Sequence, residues 1–320
     1  MAKSGLDPVA ERDRERRSSP TFSEAAKATH LALKSGWKEK GAQVFIKSLE
    51  NHAYPAFGGK RVDDISAGDI TAALAPIWTS KPDMARKVKQ RIRNVLDFAH
   101  SKGWRPTEAP GRSVAVALPR QPKGGHHSAM PYVEAPAFVA KLQADAPTIG
   151  RQALLFQIFT AARQGEVRAA RWEQINLAKR EWNRPADIMK THQSHIVTLN
   201  EAAVWLLKSM NGNHVPNPKD LIFAGKGGTM LSDMTASKVL RTAGVPYNAH
   251  GFRSSFRDWA AEKMPNFPDD VAEAALAHVV ADRVVRAYKR TTFLEMRREL
   301  LEAWSHFLQP SVAIPSAVTA

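Results

Sequence analysis

Between residues 105 and 128 the chain carries Pro106, Pro110, Gly111, Pro119, Pro122, Gly124 and Gly125 with no sustained apolar period. Proline lacks the amide hydrogen and fixes φ, and glycine loses the most freedom on ordering, so neither helix nor strand is expected to run through such a stretch. The interval therefore predicts a connector, and 320 residues exceed what one core ordinarily serves. Two domains follow: a helical one at 19–118 and a second at 128–309, with a linker at 119–127. Residues 1–18, charged and poorly patterned from Glu11 to Arg17, read as a linker or remnant, and 310–320 as a disordered tail.

In the first half, Phe22, Ala25, Ala26 and Thr29 form a helical stripe that ends at Gly36-Trp37. Val44, Phe45, Leu49 and His52 form another, ended by Pro55. Asp63 to Ser66 supply turn and capping residues before an amphipathic run from Asp69 to Trp78. A last helix aligns Val88, Ile92, Val95, Leu96 and Ala99 on one face, while Arg86, Lys87, Lys89, Arg91 and Arg93 crowd the rest. A basic helix back is often only a solvated face.

The second half predicts helices at 134–143 and 150–160, then strand-like runs at 180–183, 188–191 and 195–199. Helices resume around Asp233 and at 250–263, 269–277, 281–290 and 293–308, the last with Thr292 and Glu295 spaced as a capping box. The fold class expected is mainly α with a small β-sheet, α+β.

Charge decides the partner. A net charge of +15 favours a polyanion, because clustered Lys and Arg release counterions from phosphate backbones; an unspecific basic surface or anionic lipid is the competing reading. The absence of cysteine excludes disulfides, thiolate zinc sites and a cysteine nucleophile. No apolar stretch suits a membrane span or a secretory leader, so a cytoplasmic, nucleoid-associated protein without a membrane partner is expected. Gly225 to Thr229 lacks phosphate-loop spacing, and His126, His127, His192 and His195 lack the acidic or further histidine ligands that a metal site needs. No metal or other cofactor is expected.

Four segments carry chemistry: Thr160-Ala161-Ala162-Arg163 with Glu166, His250-Gly251-Phe252-Arg253, Leu276-Ala277-His278, and Arg286-Ala287-Tyr288. Taken singly, each reads as surface or packing. In this order, with Lys190 before Thr191-His192, they resemble the active site of the tyrosine recombinases, the phage-integrase family. Ala53-Tyr54-Pro55, Pro76-Ile77-Trp78 and Arg297-Arg298 to Trp304 resemble its prophage-integrase branch, so that the likeness runs over roughly 19–308. Alanine at 161, where many relatives have glycine, is the one departure noted.

The resemblance implies a helical core-binding domain followed by a catalytic domain, and a site-specific recombinase that cleaves and rejoins DNA through a 3′-phosphotyrosine, integrating or excising a prophage or genomic island. It implies Tyr288 as nucleophile, Lys190 as general acid, and Arg163, His250, Arg253 and His278 around the phosphate. Glu166 is read as an orienting group. Planar guanidinium forks suit non-bridging oxygens, which agrees. The partners implied are double-stranded DNA at core attachment sites and three further copies in a homotetramer, with room for a DNA-bending accessory or excision factor. An arm-binding domain usual in the branch is not found ahead of Gly5-Leu6-Asp7-Pro8, which leads us to expect a shortened form. The competing functions are a non-cutting DNA-binding regulator of the same fold and a type IB topoisomerase relative.

Overall fold

A stripe of small and aromatic residues at helical spacing buries Phe22, Ala25, Ala26 and Thr29 on helix α1 (Phe22–Leu33), as the periodicity requires. A computed structural model of the chain describes residues 19–37, 39–122, 128–187, 189, 193–211, 215–278 and 292–309. The chain divides into two compact units, up to Gly125 and from His126 onwards.

In the first unit α1 is followed by α2 (Glu39–His52), a single turn α3 (Tyr54–Phe57), α4 (Ala67–Trp78) and α5 (Pro82–Ser101). Pro55 does not merely end α2; it opens α3, where its missing N–H costs nothing. Ser66 and Asp69 cap each other across the first turn of α4, and Lys60 adds an ion pair to Asp69 at 2.8 Å. These bonds hold the Asp69 carboxyl down at about 2, the Lys60 contact contributing most and Ser66 next. Val88, Ile92, Val95, Leu96 and Ala99 are all fully buried along α5. Val44 departs from its expected stripe and is exposed, because Ala42, Phe45 and Leu49 define the inward face of α2.

The Pro/Gly interval is less of a connector than its composition suggests. It contains a short helix, α6 (Gly111–Ala117), whose Val114 is buried. Beyond it, Trp78 Nε1 donates to Pro119 O at 2.7 Å and Gln121 Nε2 to Trp78 O at 2.9 Å, so these linker residues pack on the first unit.

The second unit is built around α8 (Ile149–Thr160), where every side chain from Ala153 to Thr160 is buried. Before it comes α7 (Ala135–Ala144); after it come α9 (Gln164–Arg168) and a three-stranded antiparallel sheet in the order β1 (Ile175–Asn176), β2 (Glu181–Arg184), β3 (His195–Thr198). Arg184 pairs with His195 at the end of the β2–β3 ladder. Among the described residues helices α10 (Glu201–Asn211), α11 (Thr235–Thr242), α12 (Gly251–Lys263), α13 (Asp269–Ala275) and α14 (Leu294–Leu308) follow. Trp304 of α14 donates to Ile158 O at 2.9 Å and packs against Phe256, Trp259 and Phe307, tying α14 to α8 and α12.

Several expectations shift. Helix α10 was not expected, although Ala202, Ala203, Leu206 and Leu207 form its buried stripe at helical spacing, and the two-residue strand β1 is too short to register as a period; the helix near Asp233 begins at Thr235. The Thr292–Glu295 capping box does not form, because the residue preceding α14 is Phe293, left-handed at φ 51°, which moves Thr292 one position too early; Glu295 pairs with Arg298 instead. The expected helix at 281–290, the strand at 188–191 except Met189, the segment 1–18 and the tail 310–320 lie outside the described residues.

Candidate active site

Helix α8 stops at Ala161, whose left-handed backbone, φ 49° and ψ 24°, turns the chain so that Arg163 heads α9. An L-residue with a Cβ adopts that region at a cost of about 1 kcal/mol relative to glycine, so the turn is held by its surroundings. Glu166, three residues on, is 4% exposed and closes the turn: it accepts from the Arg163 backbone N–H and from Arg163 Nη1, both at 3.0 Å. Arg163 Nη2 donates to Ala277 O at 3.3 Å.

His250 immediately precedes α12, and Arg253 lies in that helix's first turn. The intervening Gly251 is required by space: a Cβ there would lie 2.7 Å from both Ala129 Cα and Ser128 O. Arg253 is 4% exposed and forks between two carbonyls, Ala161 O and Leu276 O, each at 2.6 Å. Its Nη2 also lies 3.0 Å from His278 Nε2. The Leu276–His278 turn is shaped by Ala277, again left-handed at φ 50°, so that successive carbonyls meet Arg253 and Arg163 while the imidazole reaches Arg253. Glu273 Oε2, 2.6 Å from His278 Nδ1, fixes the ring. With Arg253 donating to Nε2, the ring proton sits on Nδ1. Burial pushes the Glu273 carboxyl up, but hydrogen bonds from Arg257 and His278 outweigh it and leave the carboxyl below its ordinary range.

Three further residues join this cluster that the sequence reading did not select: Arg184, His195 and Arg297. Arg184 is 2% exposed and its Nη1 meets Glu166 Oε2. Arg297, from α14, donates through Nη1 to Ile196 O at 2.8 Å and lies 3.2 Å from His195 Nε2. Burial, with Arg184, Arg297, Arg163 and Arg253 around it, pushes the His195 imidazole down to about 2, so it is neutral at all ordinary pH. Burial and the neighbouring Arg163 bring Arg253 down to about 10 against the pull of Glu166, which leaves it charged at neutral pH. The outcome is a cluster with an excess of guanidinium over carboxylate, suited to an anion with several oxygens.

Of the site residues selected from sequence, Arg163, Glu166, Arg253 and His278 come together. His250 is exposed at the start of α12 and backs Arg253 through the backbone, its carbonyl accepting from Arg253 N–H at 3.1 Å. Lys190 and Tyr288 lie outside the described residues, as do His126, His127 and His192. On α5 the basic set divides. Arg86, Lys89 and Arg93 line a groove of about 880 Å³ together with Arg112 and Arg120; Lys87 is exposed but does not line it; Arg91 turns inward, its Nη1 2.5 Å from Ser48 Oγ. Among the described residues one group has metal-ligand spacing, Glu201, Glu302 and His306, but Glu302 is already paired with Arg180 at 2.6 Å. No described helix is long and apolar enough to cross a membrane.

The sequence matches two family models, the phage integrase central domain over residues 22–114 and the phage integrase family over 132–295, the latter spanning more than half of the chain. Prophage integrase IntZ of Escherichia coli K12 is 28% identical over 98% of this chain and 78% of its own length. The integrase of enterobacteria phage P4 is 27% identical over 95% and 73%. A lambda integrase dimer bound to a core site superposes with a TM-score of 0.66 at 16% identity, covering 91% of this chain and 83% of that one. The chain belongs to the phage integrase family and is a tyrosine-type site-specific recombinase.

Proposed function

We propose that the chain cleaves and rejoins duplex DNA with Tyr288 as nucleophile and the Arg163–Arg253–His278 cluster as the seat of the scissile phosphate. The observation that carries this reading is the convergence of Arg163 and Arg253, from two segments far apart in sequence, on the Leu276–His278 turn that itself supplies His278. Nothing in a helical core requires two guanidiniums and an imidazole at one point; a transferring phosphoryl group does. The Tyr288 phenolate oxygen forms a bond to phosphorus as the P–O5′ bond breaks. The phenol proton passes to His250, and the leaving 5′ oxygen takes one from Lys190. Arg163 and Arg253 offset the charge that grows on the non-bridging oxygens. For His278 to add a donor from Nε2, its ring must be doubly protonated, with Nδ1–H retained by Glu273.

The basic α5 groove suits the DNA backbone, with Arg86, Lys89 and Arg93 facing it and Lys87 at its margin. Arg91, bonded to Ser48, is better placed to brace α5 than to meet phosphate. Related solved structures include a lambda integrase tetramer bound to a Holliday junction, which supports a homotetramer acting on core attachment sites; the prophage integrases among the relatives support integration or excision of a mobile element.

Incubation with a nicked suicide duplex tests the chemistry. The wild-type chain is expected to form a denaturation-resistant protein–DNA adduct, and Tyr288→Phe to bind the duplex equally well and form none. An adduct surviving in that variant would assign the nucleophile elsewhere.

A further inference from the structure

We propose that Arg184 is a positioning residue for the phosphate-binding arginine: through the shared carboxylate of Glu166, it sets the orientation of Arg163 and keeps its charge available to the substrate. The inference rests on the reading of Arg163 as a phosphate ligand.

Glu166 is nearly buried and has two cationic partners. One oxygen accepts from Arg163 Nη1 at 3.0 Å; the other accepts from the Arg163 backbone N–H at 3.0 Å and meets Arg184 Nη1. The Arg184 and Glu166 side chains are 1% and 5% exposed, whereas that of Arg163 is 22% exposed. Arg163 is therefore the member of the triad that solvent, or a phosphate, can reach.

The charge balance gives Arg184 its role. An isolated Arg163–Glu166 pair is neutral, and a carboxylate at 3.0 Å competes with any phosphate for the same guanidinium. With Arg184 on its second oxygen, Glu166 divides its charge between two guanidiniums and the triad carries a net +1. The carboxylate then orients Arg163 without cancelling it. Packing alone does not call for a guanidinium here. Arg184 stands two residues from fully buried Trp182 on the inward face of β2, its guanidinium 5.2 Å from the indole centroid, where an apolar side chain would be at least as stable. Its charge is retained at a cost: burial, together with Arg163 and Arg297, draws Arg184 down to about 10 against the pull of Glu166.

Strand register places Arg184 to do this. It is the last residue of β2, paired with His195, and the β2–β3 ladder thereby brings a side chain from the sheet to a helix turn, α9, that is otherwise separate from it in sequence.

Single-turnover cleavage of a suicide duplex tests the role, using an ordinary scissile phosphate and a methylphosphonate that lacks one anionic oxygen. A site short of usable positive charge is impaired less on the methylphosphonate; a site merely loosened is impaired equally on both. Arg184→Met is expected to cleave the ordinary linkage about ten- to a hundred-fold more slowly, as for loss of an outer-shell partner, with duplex affinity unchanged. Its deficit relative to wild type should shrink several-fold on the methylphosphonate, as should that of Arg163→Ala. Arg184→Lys, which keeps the charge, should fall between Met and wild type on the ordinary linkage; if Arg184→Met does not fold, Arg184→Gln carries the same comparison. Equal deficits for the uncharged Arg184 variant on both linkages, while that of Arg163→Ala shrinks, would overturn the inference alone. Equal deficits for Arg163→Ala as well would overturn the phosphate-binding reading, and the inference with it.

Discussion

His195 shows how much a residue's surroundings decide. In the sequence it is a histidine without metal partners; in the fold burial, with four arginines around it, holds its imidazole at about 2, against an ordinary 6.5. A folded-state value below the unfolded one means that the unfolded chain binds the extra proton. Stability is unaffected above pH 6.5 and falls as pH drops below it, by about 1.4 kcal/mol per pH unit. Urea unfolding at pH 7 and pH 5 should show this loss, and His195→Gln, which keeps an acceptor for Arg297, should reduce it by about 2 kcal/mol at pH 5. An unchanged acid slope in His195→Gln would show that the imidazole is not the group taking up the proton. The arginines at 163 and 253 were selected because their segments, taken in order with the others, resemble the family's active site. Arg184 and Arg297 were not, since a charged residue in a strand or helix is ordinarily solvent-facing. One signal for Arg184 was present: alternation along Glu181-Trp182-Asn183-Arg184 puts it on the face of Trp182.

At the scale of elements, capping and apolar period were the most readable features and loop-proximal structure the least. The α4 start was visible as Ser66 and Asp69, and α5 as an unbroken apolar spine. Helices α6 and α9 were missed because runs of seven and five residues are too short for a period to register. The α14 capping box failed on a one-residue displacement that only the Phe293 backbone reveals. For α4 the cap has a measurable worth. Asp69→Asn removes the Lys60 ion pair and weakens the bonds to Ser66, and should destabilise the first unit by about 1–2 kcal/mol at pH 7. Because the folded Asp69 value, about 2, lies below its ordinary 3.8, that contribution is fully present above pH 3.8 and is lost as pH falls through 2. Urea midpoints for variant and wild type should therefore converge in acid. A gap that persists undiminished at low pH would assign the effect to packing rather than to the carboxylate.

Across the whole molecule, the composition predicted a polyanionic partner, and the division of basic residues on α5 makes that claim specific. Each phosphate contact that is lost lowers the slope of log K against log salt by about 0.9. Replacing Arg86, Lys89 and Arg93 together by alanine should flatten the slope for duplex binding by about 3, whereas Arg91→Ala should leave the slope alone and lower thermal stability instead. A slope unmoved by the triple variant would take the groove out of the interface. The structure divides at Gly125, inside the Pro/Gly interval, and the bonds of Trp78 to Pro119 and of Gln121 to Trp78 fasten the first residues of the expected linker to the first unit.

Gly251 has a mechanical corollary. Where a Cβ would collide with Ser128 and Ala129, the backbones of two segments are in direct contact, and the contact is fastened on either side: Asn248 N–H donates to Ser128 O at 3.1 Å and Ser128 Oγ to Pro246 O at 3.3 Å. Ser128 is thus an anchorage. It fixes the head of α12, the helix that carries Arg253, and every amino acid other than glycine at position 251 would pry that anchorage open.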